Sequence, residues 1–425
     1  MRKASTLLFL LAALVQARSQ IISASPKTPA EQKIGWAKAE VTVHPDELQP
    51  YVDLAVALVG RARETGDTNY YEQAEAQLEP SLGKDPHNFE ALKARAMILI
   101  GRREFEKAID LTRKLNAEVP DDVLVYGLLA DGLIETGNYK DAVDRTQWML
   151  NLRSGNVPGL LRAARLRWIY GDREGALDLY SKAYQETSPT QTEDQAWILT
   201  QMSDIQIATG HLDIADQLLH SALGLFPGYY LSLESSAKLE TAREQYTQAV
   251  NLLRRRNESF PTLESRYELA KALDRSGRTA EARTAYADFE AEALHSSDTA
   301  NNANRELILY YVSTGNKPAE ALRIAAREVR KRQNIAMLDA YAWALCANGQ
   351  YGEAERQMKA ALTTGVRDAE ILYHAGVIAQ KLQDKSSAAD YLKASLELNP
   401  SSEVSQEAHR ALDATVVAPV APVAN

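Results

Sequence analysis

The sequence predicts an all-α protein, a solenoid of about ten helix-turn-helix units ending in a capping helix. Three periodic features predict it. An alanine recurs at Ala74, Ala108, Ala142, Ala176, Ala215, Ala249, Ala282, Ala321, Ala354 and Ala388, in steps of 34 residues interrupted by two of 33 and two of 39. Five residues before it stands glycine, at Gly137, Gly171, Gly210, Gly277 and Gly349. Twelve residues after it stands proline, at Pro86, Pro120, Pro227, Pro261 and Pro400. A fixed period of this length marks a stacked array that grows in one dimension and has no single core.

Each slot has a physical cause. Proline cannot continue a helix, so it closes a unit. Glycine supplies the positive φ that ends one helix before a tight turn. Twelve residues before the alanine the side chain is small, as at Ala96, Ala130, Ala164, Ser203, Ala237, Ala270, Ala342 and Gly376, which lets two helices approach closely where they cross. In the unit starting at Val123, Tyr126, Leu129, Ala130 and Leu133 fall at i, i+3, i+4 and i+7, the buried stripe of a first helix. After Gly137 and Asn138, the residues Tyr139, Ala142, Val143 and Thr146 form the stripe of a second.

At the N-terminus, Arg2 and Lys3 precede an apolar run over 7–15, and Val15 and Ala17 place small residues before a cut. Residues 1–17 therefore resemble a secretory signal peptide, too short to span a bilayer. No cysteine lies near the cut to carry a lipid anchor. The expected location is outside the cytoplasm, periplasmic or extracellular. Residues 18–45 contain Pro26 and Pro29 with little periodicity and are expected to be a linker, with Trp36 available to dock on the first unit. The solenoid is expected over 46–400, a capping helix over 401–413 and a disordered tail over 414–425, where Ala-Pro-Val repeats. The two steps of 39 place insertions at 188–194 and 295–304, rich in loop-forming residues, which read as tolerated loops.

These slots resemble the tetratricopeptide repeat, a 34-residue helix-turn-helix unit. The resemblance covers about 46–400 and is clearest at 123–156 and 335–368, the latter with Tyr341-Ala342-Trp343-Ala344-Leu345, Gly349 and Ala354. The stretch Ala62-Arg63-Glu64-Thr65-Gly66-Asp67, followed by Leu82-Gly83-Lys84-Asp85-Pro86, is also similar to exported bacterial proteins of this type. The resemblance implies a right-handed superhelix whose first helices line the concave side. It departs from the pattern at Glu244, which takes a glycine slot, and at Ile308, which takes a small slot.

Composition and motifs narrow the function. A net charge of −9 argues against nucleic acid as the main partner. There is no phosphate-cradling loop before a Lys-Ser/Thr pair, no His-Glu-x-x-His, no CxxC and no nucleophile elbow. The seven histidines show no ligand spacing on one helix face, so neither metal nor cofactor is expected. Cys346 is the one cysteine and reads as a small buried hydrophobe. The runs Arg254-Arg255-Arg256 and Arg330-Lys331-Arg332 fall at helix C-termini, where the backbone dipole favours cations. No segment outside the repeats is large enough for a catalytic domain. The expectation is a non-catalytic scaffold of the cell envelope that binds a peptide or protein segment. The alternative is a glycan-binding or enzymatic subunit with its site in the groove.

The groove residues follow from the stripe opposite the buried one. It gives Arg165, Trp168, Trp197, Asp204, Tyr267, Lys271, Arg305, Trp343 and Tyr373 as candidate ligand contacts, with Lys238 and Asp131 on the same stripe. Aromatic residues and arginine most often anchor interfaces. Arg165, Trp168, Trp197 and Asp204, from adjacent units, form the preferred spot. The alternative is that the aromatics pack between neighbouring helices. Some repeats of this type clamp an acidic C-terminus with asparagine at the ninth slot, and no unit here has asparagine there.

Overall fold

The computed structural model describes residues 27–258 and 260–417. The expected signal peptide and all but the first residues of the expected tail lie outside this range. Among the described residues there are 22 helices and no strand.

Helix α1 (Pro29–Val43) precedes ten antiparallel pairs. These are α2 (Gln49–Thr65) with α3 (Asn69–Lys84), α4 (Phe89–Gly101) with α5 (Phe105–Glu118), and α6 (Val123–Thr136) with α7 (Tyr139–Leu152). Next come α8 (Val157–Ile169) with α9 (Arg173–Glu186), α10 (Thr192–Ala208) with α11 (Leu212–Leu225), and α12 (Tyr230–Ala242) with α13 (Tyr246–Asn257). The last pairs are α14 (Leu263–Arg275) with α15 (Thr279–His295), α16 (Asn304–Ser313) with α17 (Pro318–Glu328), α18 (Ile335–Ala347) with α19 (Tyr351–Leu362), and α20 (Ala369–Lys381) with α21 (Lys385–Leu398). Helix α22 (Ser405–Val417) closes the array. The structure is the expected all-α solenoid of ten repeats.

The sequence slots have their expected burial. Every alanine of the 34-residue series is at most 2% exposed. A Cβ added at Gly376, in a small slot, would fall 2.6 Å from Leu392 Cγ across the pair. Cys346 is buried, and that burial pushes its thiol up to about 11. Arg256 lies against Tyr230 and donates to the Phe260 carbonyl, while Arg327 and Lys331 pair with Asp298 and Glu328, so these basic residues serve the structure.

The glycine slot is a backbone rule more than a glycine rule. Gly137, Gly171, Gly210, Gly277 and Gly349 have φ between 75° and 90°, and where the slot holds Arg103, Glu244, Asn316 or Gln383 the φ is still 48° to 62°. A left-handed residue with a Cβ costs about 1–2 kcal/mol. Glu244 is exposed, so Glu244→Gly should raise stability by ~0.5–1 kcal/mol in chemical denaturation, the strain relieved exceeding the entropy lost. A decrease would contradict the strain argument.

Four expectations for the flanks and insertions need correction. Residues 29–43 of the expected linker are helix α1. Its inward stripe is Ala30, Ile34, Ala37 and Val41, of which only the two alanines are fully buried, a weak hydrophobic signal. The signal that marks it is Thr28-Pro29-Ala30-Glu31, a capping box with proline at the first turn. Glu64, 5% exposed, accepts from the Ala30 amide at 2.8 Å and so fixes α1 on α2. Trp36 does not dock and is 62% exposed. The capping helix begins at Ser405 and runs to Val417, later than the expected 401–413, with Ala408 fully buried. The insertion at 188–194 is more than a loop: it adds a turn to α10 and carries Glu193 and Asp194, which pair with Arg63 of the first repeat at 2.9 and 2.8 Å.

That last contact belongs to a series. The internal turns of the first five repeats dock on segments that begin repeats or the cap further along. Gly66 lies against the Tyr230 ring, Arg103 pairs with Glu264 at 2.7 Å, and Thr136 accepts from the Gln333 amide at 3.2 Å. The Ile335 amide donates to Tyr139 Oη at 2.9 Å, and Asn399 Nδ2 donates to the Ile207 carbonyl at 3.2 Å. The superhelix therefore returns on itself after five to six repeats and encloses a lumen lined by first helices.

Candidate functional site

Two adjoining cavities occupy the concave side. One, of about 300 Å³, lies between α6, α8, α16, α18 and the start of α20, with Arg165, Trp168, Arg305 and Arg367 in its wall. The other, of about 450 Å³, lies between α8, α10, α12, α14 and the turn before α22, and Trp168, Asp204, Lys238, Glu268, Lys271 and Glu403 line it. Trp168, Arg367, Asp368 and Glu370 border both. Closure of the superhelix makes these cavities, because α8 and α20 belong to repeats four and ten.

The walls are dense in opposite charges. Arg165 donates to Glu135 at 2.5 Å, and although burial pushes the Glu135 carboxyl up, this guanidinium holds it below its ordinary range. Asp204, 3.8 Å away, holds the Lys238 ammonium above its ordinary range against the cost of burial. Lys271 sits between Glu268 at 3.1 Å and Glu403 at 3.0 Å. Burial would lower it, but the two carboxylates raise it, so it stays charged. Burial outweighs Lys271 at Glu268, whose carboxyl is raised. Burial also raises Asp368, beside Glu370 and Asp339.

Not every polar group is satisfied. Arg305 reaches Glu306 at 3.5 Å and Glu370 at 3.9 Å, and its buried Nε has no partner. Asp204 Oδ1 is likewise buried without a hydrogen bond. Arg367 makes no ion pair or hydrogen bond with another described residue through its guanidinium. The first two atoms are enclosed by protein, but the exposed Arg367 guanidinium, at the border of both cavities, can bind polar groups of a ligand.

The structure brings five of the nine sequence-predicted residues to the cavity walls: Arg165, Trp168, Asp204, Lys271 and Arg305. The other four pack between helices. Trp197 meets the Tyr180 ring edge-on at 6.2 Å and joins two core clusters. Tyr267 is 6% exposed, against Tyr286 and Phe289. Trp343 stacks on His374 at 4.1 Å, with Tyr373 beside it at 6.1 Å. His374 in turn bonds to buried Asp339 at 2.8 Å, and although burial lowers it, that carboxylate raises the imidazole above its ordinary range. The large rings at the edge of the inward stripe lean towards a neighbouring helix, where they bury more area than in the lumen.

Sequence reasoning missed Arg367, Asp368, Glu370 and Glu403. Arg367, Asp368 and Glu403 come from the segments before α20 and α22, outside the helical stripe, while Glu370 is the second residue of α20. Only closure of the superhelix brings them to the lumen, and no spacing within one repeat signals it.

Tetratricopeptide-repeat family models match this chain at residues 69–132 and 340–403. No curated protein matches it. Among solved structures it is similar to the human IFIT1 dimer with PPP-AAAA, at 13% identity and a TM-score of 0.51, over 87% of this chain and 87% of that one. It is also similar to a chain of the APC/C hetero-tetramer Cut9-Hcn1, at 13% identity and a TM-score of 0.43, over 89% of this chain and 58% of that one. The chain thus spans little more than half of that relative's length. Yeast Tom70 matches at 12% identity and a TM-score of 0.38, over 85% of this chain and 96% of that one. At these identities the likeness to IFIT1 concerns the fold alone.

Proposed function

We propose that this tetratricopeptide-repeat protein is a non-catalytic scaffold of the cell envelope that holds an extended segment of a partner protein in its lumen. Repeats of this type are generally protein-binding scaffolds. The observation that carries the lumen reading is the pair of adjoining cavities that share Trp168 and the exposed Arg367, whose guanidinium pairs with no other described residue. An extended segment exposes backbone amides and carbonyls along its length, and a wall of alternating charges can bond both. The envelope location rests on the signal-like residues 1–17.

Photo-crosslinking in intact cells tests both parts. A photoreactive residue at position 165 faces the lumen, and one at position 356, on the outer helix α19 with its side chain 74% exposed, serves as the outward control. The expected result is one defined protein adduct from 165, absent from 356, in the envelope fraction of material whose N-terminus lies at or just after Arg18. Adducts from 356 alone would remove the lumen as the binding surface. An adduct confined to the cytoplasm, on chains retaining residues 1–17, would remove the envelope location.

A further inference from the structure

The turn between α21 and α22 sends one of its own side chains into the lumen. Glu403 Oε2 lies 3.0 Å from Lys271 Nζ and 3.6 Å from an Arg275 nitrogen, and Arg275 also donates to the Glu403 carbonyl at 3.2 Å. Lys271 and Arg275 are one turn apart on α14, the first helix of repeat seven. Glu403 arrives from 128 residues beyond Arg275, through closure of the superhelix. It is the one ion-pair partner of Arg275 among the described residues, whereas Lys271 also has Glu268.

The turn does not need Glu403 to hold its place. Asn399 Nδ2 bonds to the Ile207 carbonyl at 3.2 Å, and the Ser402 amide bonds to the Asn399 carbonyl at 3.2 Å. Beyond it, Ala408 is fully buried and Gln380 Nε2 donates to the Ala411 carbonyl. The ion pair itself is open, with 38% of the Glu403 side chain and 35% of Arg275 exposed, and exposed pairs hold weakly. Glu403 and Lys271 also border the 450 Å³ cavity, so a carboxylate entering along the lumen meets Lys271 first, with Arg275 one turn further along α14.

We propose that Glu403 is an internal stand-in for a ligand: Lys271 and Arg275 form a site for an acidic side chain of the partner segment, which displaces Glu403 on binding. This rests on the lumen reading above and names the chemistry of its occupant. It differs from a clamp for a C-terminal carboxylate, which needs asparagine, because the group that fills the site is a side chain. A tethered competitor is present at high effective concentration, so the resting protein binds acidic segments weakly, and a partner must add further contacts to succeed.

The test uses the chain from Arg18 onward and a fluorescein-labelled peptide of alternating Glu-Asp pairs and Gly-Ser spacers, followed by anisotropy at low salt. Glu403→Gln removes the competing charge while keeping shape and should bind the peptide ~10-fold more tightly than the parent protein. Adding Lys271→Ala to Glu403→Gln should abolish that gain, and a peptide with Gln and Asn in place of Glu and Asp should show none. Equal affinity of parent and Glu403→Gln overturns the proposal, as does an equal gain for the neutral peptide. If Glu403→Gln loses its helical signal, the double variant Lys271→Ala/Arg275→Gln in the parent carries the test, because it removes both cations of the site: the weak binding must fall, and unchanged binding overturns the proposal. Failure of these arms with a crosslink still obtained from position 165 removes the acidic-side-chain site and leaves the lumen reading standing.

Discussion

Gly137→Ala should open the superhelix, while the same substitution at Gly349 should only destabilise its own turn. Both glycines have positive φ, 90° and 75°, so both variants incur the left-handed strain, about 1–2 kcal/mol. Their surroundings differ. A Cβ at Gly137 would lie 2.5 Å from the Gln333 carbonyl oxygen and 2.8 Å from the Asn334 nitrogen, whereas nothing lies within 4 Å at Gly349. The obstacle is backbone, which cannot swing aside as a flexible side chain does. Repeat nine must therefore move away from repeat three, and three contacts go with it: Gln333 N to Thr136 O, Asn334 Nδ2 to Glu135 O and Ile335 N to Tyr139 Oη. At about 1 kcal/mol each, these add roughly 3 kcal/mol to the strain. Small-angle scattering should show a larger radius of gyration for Gly137→Ala alone, with the far-UV helical signal retained in both variants. Identical scattering curves would mean that contacts between superhelical turns do not set the shape.

The contrast between these two glycines also shows how far sequence reaches. The 34-residue alanine series, the small slot and the proline mark are local: each reports on packing within a repeat or with the next one, and each repeat shows the same need. Ten such reports in phase make the solenoid legible. The glycine slot is legible as a turn, yet its second role is not, because Gly137 and Gly349 look alike until residues nearly 200 positions apart are brought together. The same limit applies to the lumen. Arg165, Trp168, Asp204, Lys271 and Arg305 lie on first helices and follow from helical arithmetic. Arg367 and Glu403 lie before helices and reach the lumen only through closure. Helix α1 was hidden for another reason: its inward stripe of Ala30, Ile34, Ala37 and Val41 is small and only half-buried at its two larger residues, so its capping box at Thr28 is the stronger signal.

Trp168 and Trp197 share the inward stripe of adjacent repeats, and separate alanine variants should tell a lumen wall from a packing residue. Trp168 borders both lumen cavities beside Arg367. Losing an interface aromatic of this kind typically costs 2 kcal/mol or more of binding, ~30-fold in affinity. Trp197 contacts Tyr180 edge-on and bridges the clusters of repeats four and five, where removing a packed tryptophan costs about 3–5 kcal/mol of stability. Trp168 also packs against the core of repeat four but joins no second cluster, so Trp168→Ala should lower the crosslink yield from position 165 with a smaller loss in melting than Trp197→Ala. Trp197→Ala should lower the melting transition, or split it as repeats four and five unfold apart from the rest, since neighbouring repeats in an array couple only at their interface. Its crosslink yield below that transition should stay near the parent value. A reversed pattern, with Trp168→Ala unfolding the array and Trp197→Ala losing the partner, would place the binding surface on the repeat interface and not in the lumen.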